Sequence, residues 1–223
     1  MKKIGLIVAV EIQSVLDKFG GKLTQREDIK AFRVLECALE NCRLIIVNSG
    51  VGEIAASAAA QFLISAFGVD MIVNFGVVGG LTPEMKKTKV CIVEKVVHYE
   101  IDTAAIDNIE VGRYLEYPDV YLPATAELVA KAVAKNPELK PVICASGDKF
   151  IAEPERKREL NRLYGADICE MEAAGIVLTC NRNAVPCMLI KIVSDSIEGG
   201  GEEYLATKDT AASLCLEIIL ELL

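Results

Sequence analysis

The chain has 223 residues and is 52% hydrophobic, which suits one substantial core better than two independent domains. We therefore expect a single domain over residues 1–223. The formal net charge of −8 argues against nucleic acid or an anionic membrane surface as a partner, because both require a basic face. The only basic run, residues 156–158, is flanked by acidic residues and is typical of a solvated helix face. No apolar run reaches transmembrane length.

Eight cysteines are spread along the chain without a C-x-x-C pair, and most of them lie inside apolar runs. His98 is the only histidine, so the pattern offers no zinc site. We expect buried, reduced thiols and a cytoplasmic protein. The apolar stretch at the N-terminus is interrupted by Glu11 and Gln13, which favours a first core strand over a signal peptide.

Short apolar runs predict strands, and longer runs with helical periodicity alternate with them. The strands are predicted at 4–9, 44–48, 71–75, 90–97, 142–145 and 188–193, with a weaker one within 31–38. The helices are predicted at 52–67, 124–134, 153–163, 172–181 and 207–222. This alternation indicates an α/β fold, a three-layer α/β/α sandwich with a central mixed β-sheet.

The segment 99–123 is polar, rich in tyrosine and without clear periodicity. Half of the six tyrosines, Tyr114, Tyr117 and Tyr121, lie between residues 114 and 121. Because long loops in compact domains usually serve a function, we expect an ordered loop that covers a pocket or an oligomer interface. An excursion packed on its own surface is the alternative.

Three carboxylates fall near one predicted cleft. Glu170 and Glu172 stand where a helical pattern begins, and Asp195 follows an apolar run that reads as a strand buried on both faces. Ligands of open α/β sheets bind beyond the carboxyl ends of strands. An acid placed there is a candidate for proton transfer. Ordinary helix-start and strand-end acids are the competing interpretation.

Two glycine motifs follow predicted strands, at 48–52 and 74–80. Glycine at a strand tip lets a ligand or another backbone come close, but a tight strand-to-helix turn needs it equally. Neither motif matches G-x-G-x-x-G or a Walker loop, so the binding of nucleotide phosphates is poorly supported.

Taken in order, six motifs resemble the 5'-methylthioadenosine/S-adenosylhomocysteine nucleosidases of the nucleoside phosphorylase superfamily. They are Ile-Gly-Leu-Ile at 4–7, Ser-Gly-Val-Gly at 49–52, Gly-Val-Val-Gly-Gly at 76–80, Ser-Gly-Asp-Lys-Phe-Ile at 146–151, Glu-Met-Glu-Ala at 170–173 and Val-Ser-Asp at 193–195. The resemblance implies hydrolysis of the N-glycosidic bond of a 5'-modified adenosine with release of adenine. It also implies a homodimer and a reaction that needs no cofactor and no metal.

The resemblance assigns roles to matched positions. Asp195 acts as the general acid toward the purine N7, Ser194 orients it, and Glu172 holds the ribose hydroxyls. Phe150 stacks on the base and the backbone of Ile151 reads its edge. Further substrate-binding positions are expected at Met171, Glu170, Val77, Val51 and Tyr204.

The chain departs from the family pattern at the base that activates water. A gapless match places Gln13 there, and an amide cannot accept a proton at neutral pH. Glu11 can serve only if the chain is about two residues shorter at this point. Tyr204 and the glycines at 199–201 are expected in a mobile loop after Asp195.

Two alternatives stay open. Val77 and Val78 make the glycine loop apolar, and no arginine is found where related phosphorylases hold phosphate, so hydrolysis is favoured over a phosphate-dependent purine nucleoside phosphorylase. Gln13 and the two valines are also compatible with a nucleoside-binding protein whose catalysis is weakened or lost.

Overall fold

The computed structural model describes residues 1–223, and a mixed sheet of ten strands forms its centre. The strands are β1 (Lys2–Val8), β2 (Thr24–Gln25), β3 (Arg33–Ala38), β4 (Cys42–Asn48), β5 (Met71–Gly80), β6 (Val90–His98), β7 (Tyr121–Pro123), β8 (Lys140–Ser146), β9 (Ile168–Glu170) and β10 (Cys187–Asp195). Their order is β10-β6-β8-β9-β5-β1-β4-β3-β2, and β7 pairs with β6.

The sheet closes on itself over half of its strands. β10 pairs in parallel with β5 and antiparallel with β6, so β5, β10, β6, β8 and β9 form a ring. β1 extends from this ring in parallel pairing with β5 and β4. The carboxyl ends of β1, β5 and β10 therefore meet at one edge of the sheet, the place where α/β proteins bind ligands.

Two pairs of helices pack against the sheet, α2 with α6 and α1 with α7. The helices are α1 (Ile12–Phe19), α2 (Glu53–Phe62), α3 (Ala104–Asp107), α4 (Ala126–Lys135), α5 (Pro154–Tyr164), α6 (Ala173–Arg182) and α7 (Gly200–Leu222). The predicted α/β/α architecture with a mixed central sheet is confirmed. α2 ends in a π-helical turn, Leu63–Phe67, and Gly68 closes it with a left-handed φ of 58°.

Several elements differ from the predictions. The helix α1 and the short strand β9 were not predicted, and β5 continues through its glycines to Gly80. Tyr204 lies on α7 rather than in a loop, because that helix begins at Gly200. Glu202 and Glu203 in the first turn of α7 favour a helix start there, since carboxylates stabilise helix N-termini.

The segment 99–123 is ordered through its tyrosines. The ring of Tyr114 stacks on His98 with centroids 6.0 Å apart, and its hydroxyl lies 2.8 Å from His98 Nδ1. Tyr121 donates a hydrogen bond of 2.9 Å to the carbonyl of Tyr164. Tyr114 also lines a groove between α2 and α6, with an empty volume of about 950 Å³.

The eight cysteines are all buried and free. None of the helices is both long enough and apolar enough to cross a bilayer.

Candidate active site

A cavity with an empty volume of about 570 Å³ lies at the carboxyl ends of β1, β5, β9 and β10. It is lined by Ala9, Val10, Glu11, Val51, Val77, Val78, Gly79, Lys149, Phe150, Ile151, Cys169, Glu170, Met171, Glu172, Ser194, Asp195 and Tyr204. Mostly apolar walls with a few converging acids are typical of a small-molecule site.

Asp195 ends the fully buried strand β10 and is itself 1% exposed. Its Oδ1 lies 2.8 Å from the hydroxyl of Ser194, and its Oδ2 lies 2.5 Å from the ammonium of Lys157. Burial raises the pKa of Asp195 above the ordinary carboxyl value, although Lys157 and Ser194 oppose the rise. A carboxyl group with a raised pKa keeps its proton to higher pH than an ordinary aspartate, which suits a proton donor.

Glu170 ends β9, and its carboxylate is engaged by hydrogen bonds and an ion pair within the protein. Both of its oxygens share the N–H of Ala173, at 3.0 and 3.1 Å, which satisfies one free donor at the start of α6. The ammonium of Lys191, on β10, lies 3.0 Å from Glu170 Oε2. Burial alone would raise the pKa of Glu170, but Lys191 and the Ser146 hydroxyl bring it below the ordinary value. Its geometry suits positioning of the helix better than direct contact with a ligand.

Glu172 stands at the N-cap of α6 and faces the cavity. Its Oε1 accepts a hydrogen bond of 2.9 Å from the N–H of Gly52, so the glycine turn after β4 holds the carboxylate in place. Gly52 has a φ of 100°, a conformation that L side chains rarely adopt. Burial and the neighbouring charge of Glu170 raise the pKa of Glu172 to about 7.

A third glutamate, Glu53, lies behind this pair. Ser146 Oγ is within hydrogen-bonding distance of Glu53 Oε1 and, at 2.5 Å, of Glu170 Oε1, and it also accepts the N–H of Ala174. Because a serine hydroxyl has one hydrogen to donate, one carboxyl must carry a proton of its own. Burial and the charge of Glu170 raise the pKa of Glu53 to about 8, so Glu53 is the protonated member.

Of the two candidates for the water-activating position, the structure brings Glu11 to the cavity and leaves Gln13 outside it. Glu11 Oε1 accepts the N–H of Val77 at 3.1 Å, and Oε2 accepts the N–H of Val10 at 3.1 Å. Gln13 lies on the exposed side of α1, and its amide donates to Asp17 at 2.7 Å. Gln13 thus lies outside the cavity, whereas the short turn after β1 directs Glu11 into it.

The mouth of the cavity is aromatic. The rings of Phe150 and Tyr204 meet edge to face with centroids 5.3 Å apart, and Phe150 is 47% exposed. Ile151 is buried beside Phe150, while Met171 and Val51 complete the apolar wall. These surfaces can hold a flat heteroaromatic ring and an apolar substituent.

Eleven of the twelve site residues predicted from the sequence line this cavity, with Gln13 as the exception. Lys157, Lys191 and Glu53 were missed. Lys157 is fully buried, so the prediction of a solvated basic face at 156–158 is wrong at its central residue. Lys191 did carry a signal, because a lone cation inside the apolar run 188–193 implies a buried partner.

Comparison with known proteins agrees with this geometry. The family model described as the phosphorylase superfamily matches residues 3–223. A 5'-methylthioadenosine/S-adenosylhomocysteine nucleosidase of Shewanella loihica is 32% identical over 205 residues, covering 87% of this chain and 86% of the relative. A second, of Shewanella denitrificans, is 31% identical over 201 residues, with 87% and 86% covered.

Solved structures are similar over the full length. A Helicobacter pylori nucleosidase mutant with 5'-methylthioadenosine in its active site has a TM-score of 0.92 at 25% identity, covering 100% of this chain and 98% of that one. A futalosine hydrolase mutant from Helicobacter pylori gives the same TM-score, identity and coverage. The chain belongs to the phosphorylase superfamily and, within it, to the 5'-methylthioadenosine/S-adenosylhomocysteine nucleosidase family.

Proposed function

We propose that this protein hydrolyses the N-glycosidic bond of a 5'-modified adenosine and releases adenine. The observation that carries the proposal is the convergence of three acids on one cavity: Asp195 with a raised pKa, Glu172 at a helix N-cap, and Glu11 against the backbone of β5. The family relationship supports the same chemistry.

Asp195 donates its proton to N7 of the purine. As the bond between C1' and N9 breaks, its electron pair moves into the ring, and protonation at N7 lets adenine leave as a neutral base. Ser194 holds Oδ1 and Lys157 holds Oδ2, so the acid is fixed before the substrate arrives. A fixed donor loses no reorganisation energy at the moment of reaction.

Glu172 holds the ribose hydroxyls, and its negative charge stabilises the cationic sugar of the transition state. Glu11 takes the proton of the attacking water while the water oxygen bonds to C1'. The hydrogen bonds from Val77 and Val10 leave further lone pairs of the Glu11 carboxylate for that water.

Substrate binding uses the apolar walls. Phe150 packs on the base, the Ile151 backbone contacts its edge, and Met171 lies against the ribose. Val51, Val77 and Tyr204 surround the 5'-substituent. Lys149 is the only cationic side chain among the lining residues, and it is paired with Glu100 at 2.8 Å. Since phosphate recognition generally uses a bidentate arginine, hydrolysis is favoured over phosphorolysis.

We also propose that the protein acts as a homodimer in the cytoplasm. An exposed apolar side chain in the groove between α2 and α6 supports a partner surface, since Ile54 lines that groove and is 83% exposed. Ile106 and Leu115, in the segment 99–123, are exposed as well. Eight reduced thiols suit a reducing compartment. Light scattering after gel filtration tests the dimer, and a monomer at micromolar concentration would contradict it.

The test of the activity is incubation of the purified protein with methylthioadenosine, S-adenosylhomocysteine, 5'-deoxyadenosine, futalosine, adenosine and inosine, with and without phosphate. Mass spectrometry identifies the base and the sugar. We expect adenine and a free pentose derivative without phosphate dependence. A sugar 1-phosphate would identify a phosphorylase, and thermal stabilisation by these ligands without product would identify a binding protein.

A further inference from the structure

The strongest feature that the proposed reaction leaves unexplained is the lysine beside the acid. Lys157 projects from α5, is 0% exposed, and lies 2.5 Å from Asp195 Oδ2 and 2.6 Å from the carbonyl of Ser196. A buried cation beside a carboxyl favours its ionised form, whereas a general acid needs the protonated form. The ion pair with Lys157 therefore opposes protonation of Asp195.

The other elements packed around Asp195 contribute little that could replace this cation. β10 provides Ser194, β9 provides the neutral thiol of Cys169, and β5 provides Gly79, which has no side chain. Glu203 on α7 approaches through Ser196, whose N–H it accepts at 2.8 Å, and it is itself paired with Lys87 at 3.2 Å.

Gly79 makes room for the pair. A Cβ at this position would lie 3.2 Å from Asp195 Oδ2 and 3.5 Å from Lys157 Nζ, and 3.0 Å from the sulfur of Cys169. The strand with the glycine motif thus borders the ion pair directly. This gives Gly79 a role in accommodating the acid and its cation.

We propose that Lys157 is a positioning residue that makes Asp195 a stronger but less often protonated acid. The inference rests on the proposed role of Asp195 as the proton donor. The ammonium fixes Oδ2 and stabilises the carboxylate that remains after the proton has passed to N7. Because the product of the transfer is stabilised, the transfer itself is easier, while fewer enzyme molecules hold the proton at high pH.

These two opposing effects, easier proton transfer and a smaller protonated fraction, predict a specific change in the pH dependence of kcat/KM. Removing the charge of Lys157 raises the proton affinity of Asp195, so the acid stays loaded to higher pH. The alkaline limb of the profile then moves upward, by about one to three pH units for the loss of a close opposite charge. The plateau below that limb falls, because the acid has become weaker. A purely structural lysine would lower activity without moving the limb.

The experiment compares pH profiles of kcat/KM for methylthioadenosine in wild type, Lys157→Met and Arg162→Met. Arg162 is an exposed cation on the same helix and serves as the matched control. We expect an upward shift of the limb in Lys157→Met alone. In Lys157→Ala, added ethylammonium should return the limb toward wild type by refilling the cation site. Lys157→Gln, which keeps a donor without the charge, replaces the methionine variant if that variant does not fold.

An unmoved limb in a folded Lys157 variant overturns the inference, and so does a uniform loss of activity at every pH. These outcomes differ from failure of the proposed function. In that case the wild-type protein itself releases no adenine at any pH.

Discussion

Glu11 Oε1 accepts the N–H of Val77 at 3.1 Å, which joins the turn after β1 to the glycine strand β5. A Cβ at Gly76 would lie 2.9 Å from the same oxygen. The glycine before Val77 is therefore required for the carboxylate to approach the strand. The first motif of the chain and the glycine motif of β5 meet at this hydrogen bond.

Replacing Glu11 with Gln should lower kcat by at least about 100-fold, the usual contribution of a general base. Gln13→Glu should leave kcat within about twofold of wild type, because the side chain points away from the cavity. Steady-state kinetics with methylthioadenosine checks both variants. A marked gain in Gln13→Glu would restore Gln13 to the site and contradict its position in the structure.

The pKa of Glu172, about 7, predicts an acidic limb in the pH dependence of kcat/KM. Glu172 must be ionised to stabilise the cationic sugar, so kcat/KM should fall as the pH drops through 7. Glu172→Gln should remove this limb and lower kcat/KM by about 100-fold where the wild type is most active. Persistence of the limb in that variant would assign it to another group.

Glu53 predicts a dependence of stability on pH. Its pKa is raised in the folded state to about 8, so the folded protein holds a proton that the unfolded chain releases at lower pH. Stability is therefore lost as the pH rises from the ordinary carboxyl range toward 8. Glu53→Gln mimics the protonated form and should remove this loss.

Thermal unfolding between pH 5 and 8.5 measures the difference between the two proteins. We expect Glu53→Gln to gain at least about 1 kcal/mol over wild type at the alkaline end, or roughly 2–4 °C in Tm. Parallel curves for the two proteins would show that Glu53 is not the protonated member.

Asp195→Asn should abolish adenine release and also destabilise the protein by about 3 kcal/mol, because it leaves the ammonium of Lys157 buried without its counter-charge. The double variant Asp195→Asn, Lys157→Met should regain most of that stability while remaining inactive. Chemical denaturation of the three proteins checks this. Equal stability of Asp195→Asn and wild type would mean that the ammonium of Lys157 finds another partner.

Periodicity sufficed for the long buried elements of the fold. β6 and β10 lie within two residues of their predicted limits. Short continuous apolar runs bounded by turns are typical of buried strands and fit few other elements. The closure of the sheet through β10, β5 and β6 could not be predicted, since pairing between distant strands leaves no local pattern. The three-residue strand β9 and the eight-residue helix α1 are too short for periodicity to indicate.

The candidate site was predictable where residues belong to contiguous motifs, as with Glu172 and Asp195. The side chains around these acids were not predictable, because Lys157 reaches Asp195, and Glu53 reaches Ser146, from other helices across large gaps in sequence. From sequence alone, a buried lysine within a basic run cannot be distinguished from a solvated one. The distinction needs the position of its helix in the fold. The choice between Glu11 and Gln13 needed the geometry of one turn.

β10 is buried over all nine residues and carries Lys191, Ser194 and Asp195. The strand that anchors the centre of the core is thus also the strand that presents the acid. Mutations in β10 that alter the chemistry also destabilise the fold. We therefore expect evolutionary change in this protein to be slow at β10. New substrates are more accessible through Phe150, Lys149 and Tyr204, which lie at the solvent edge and can vary without disturbing the sheet.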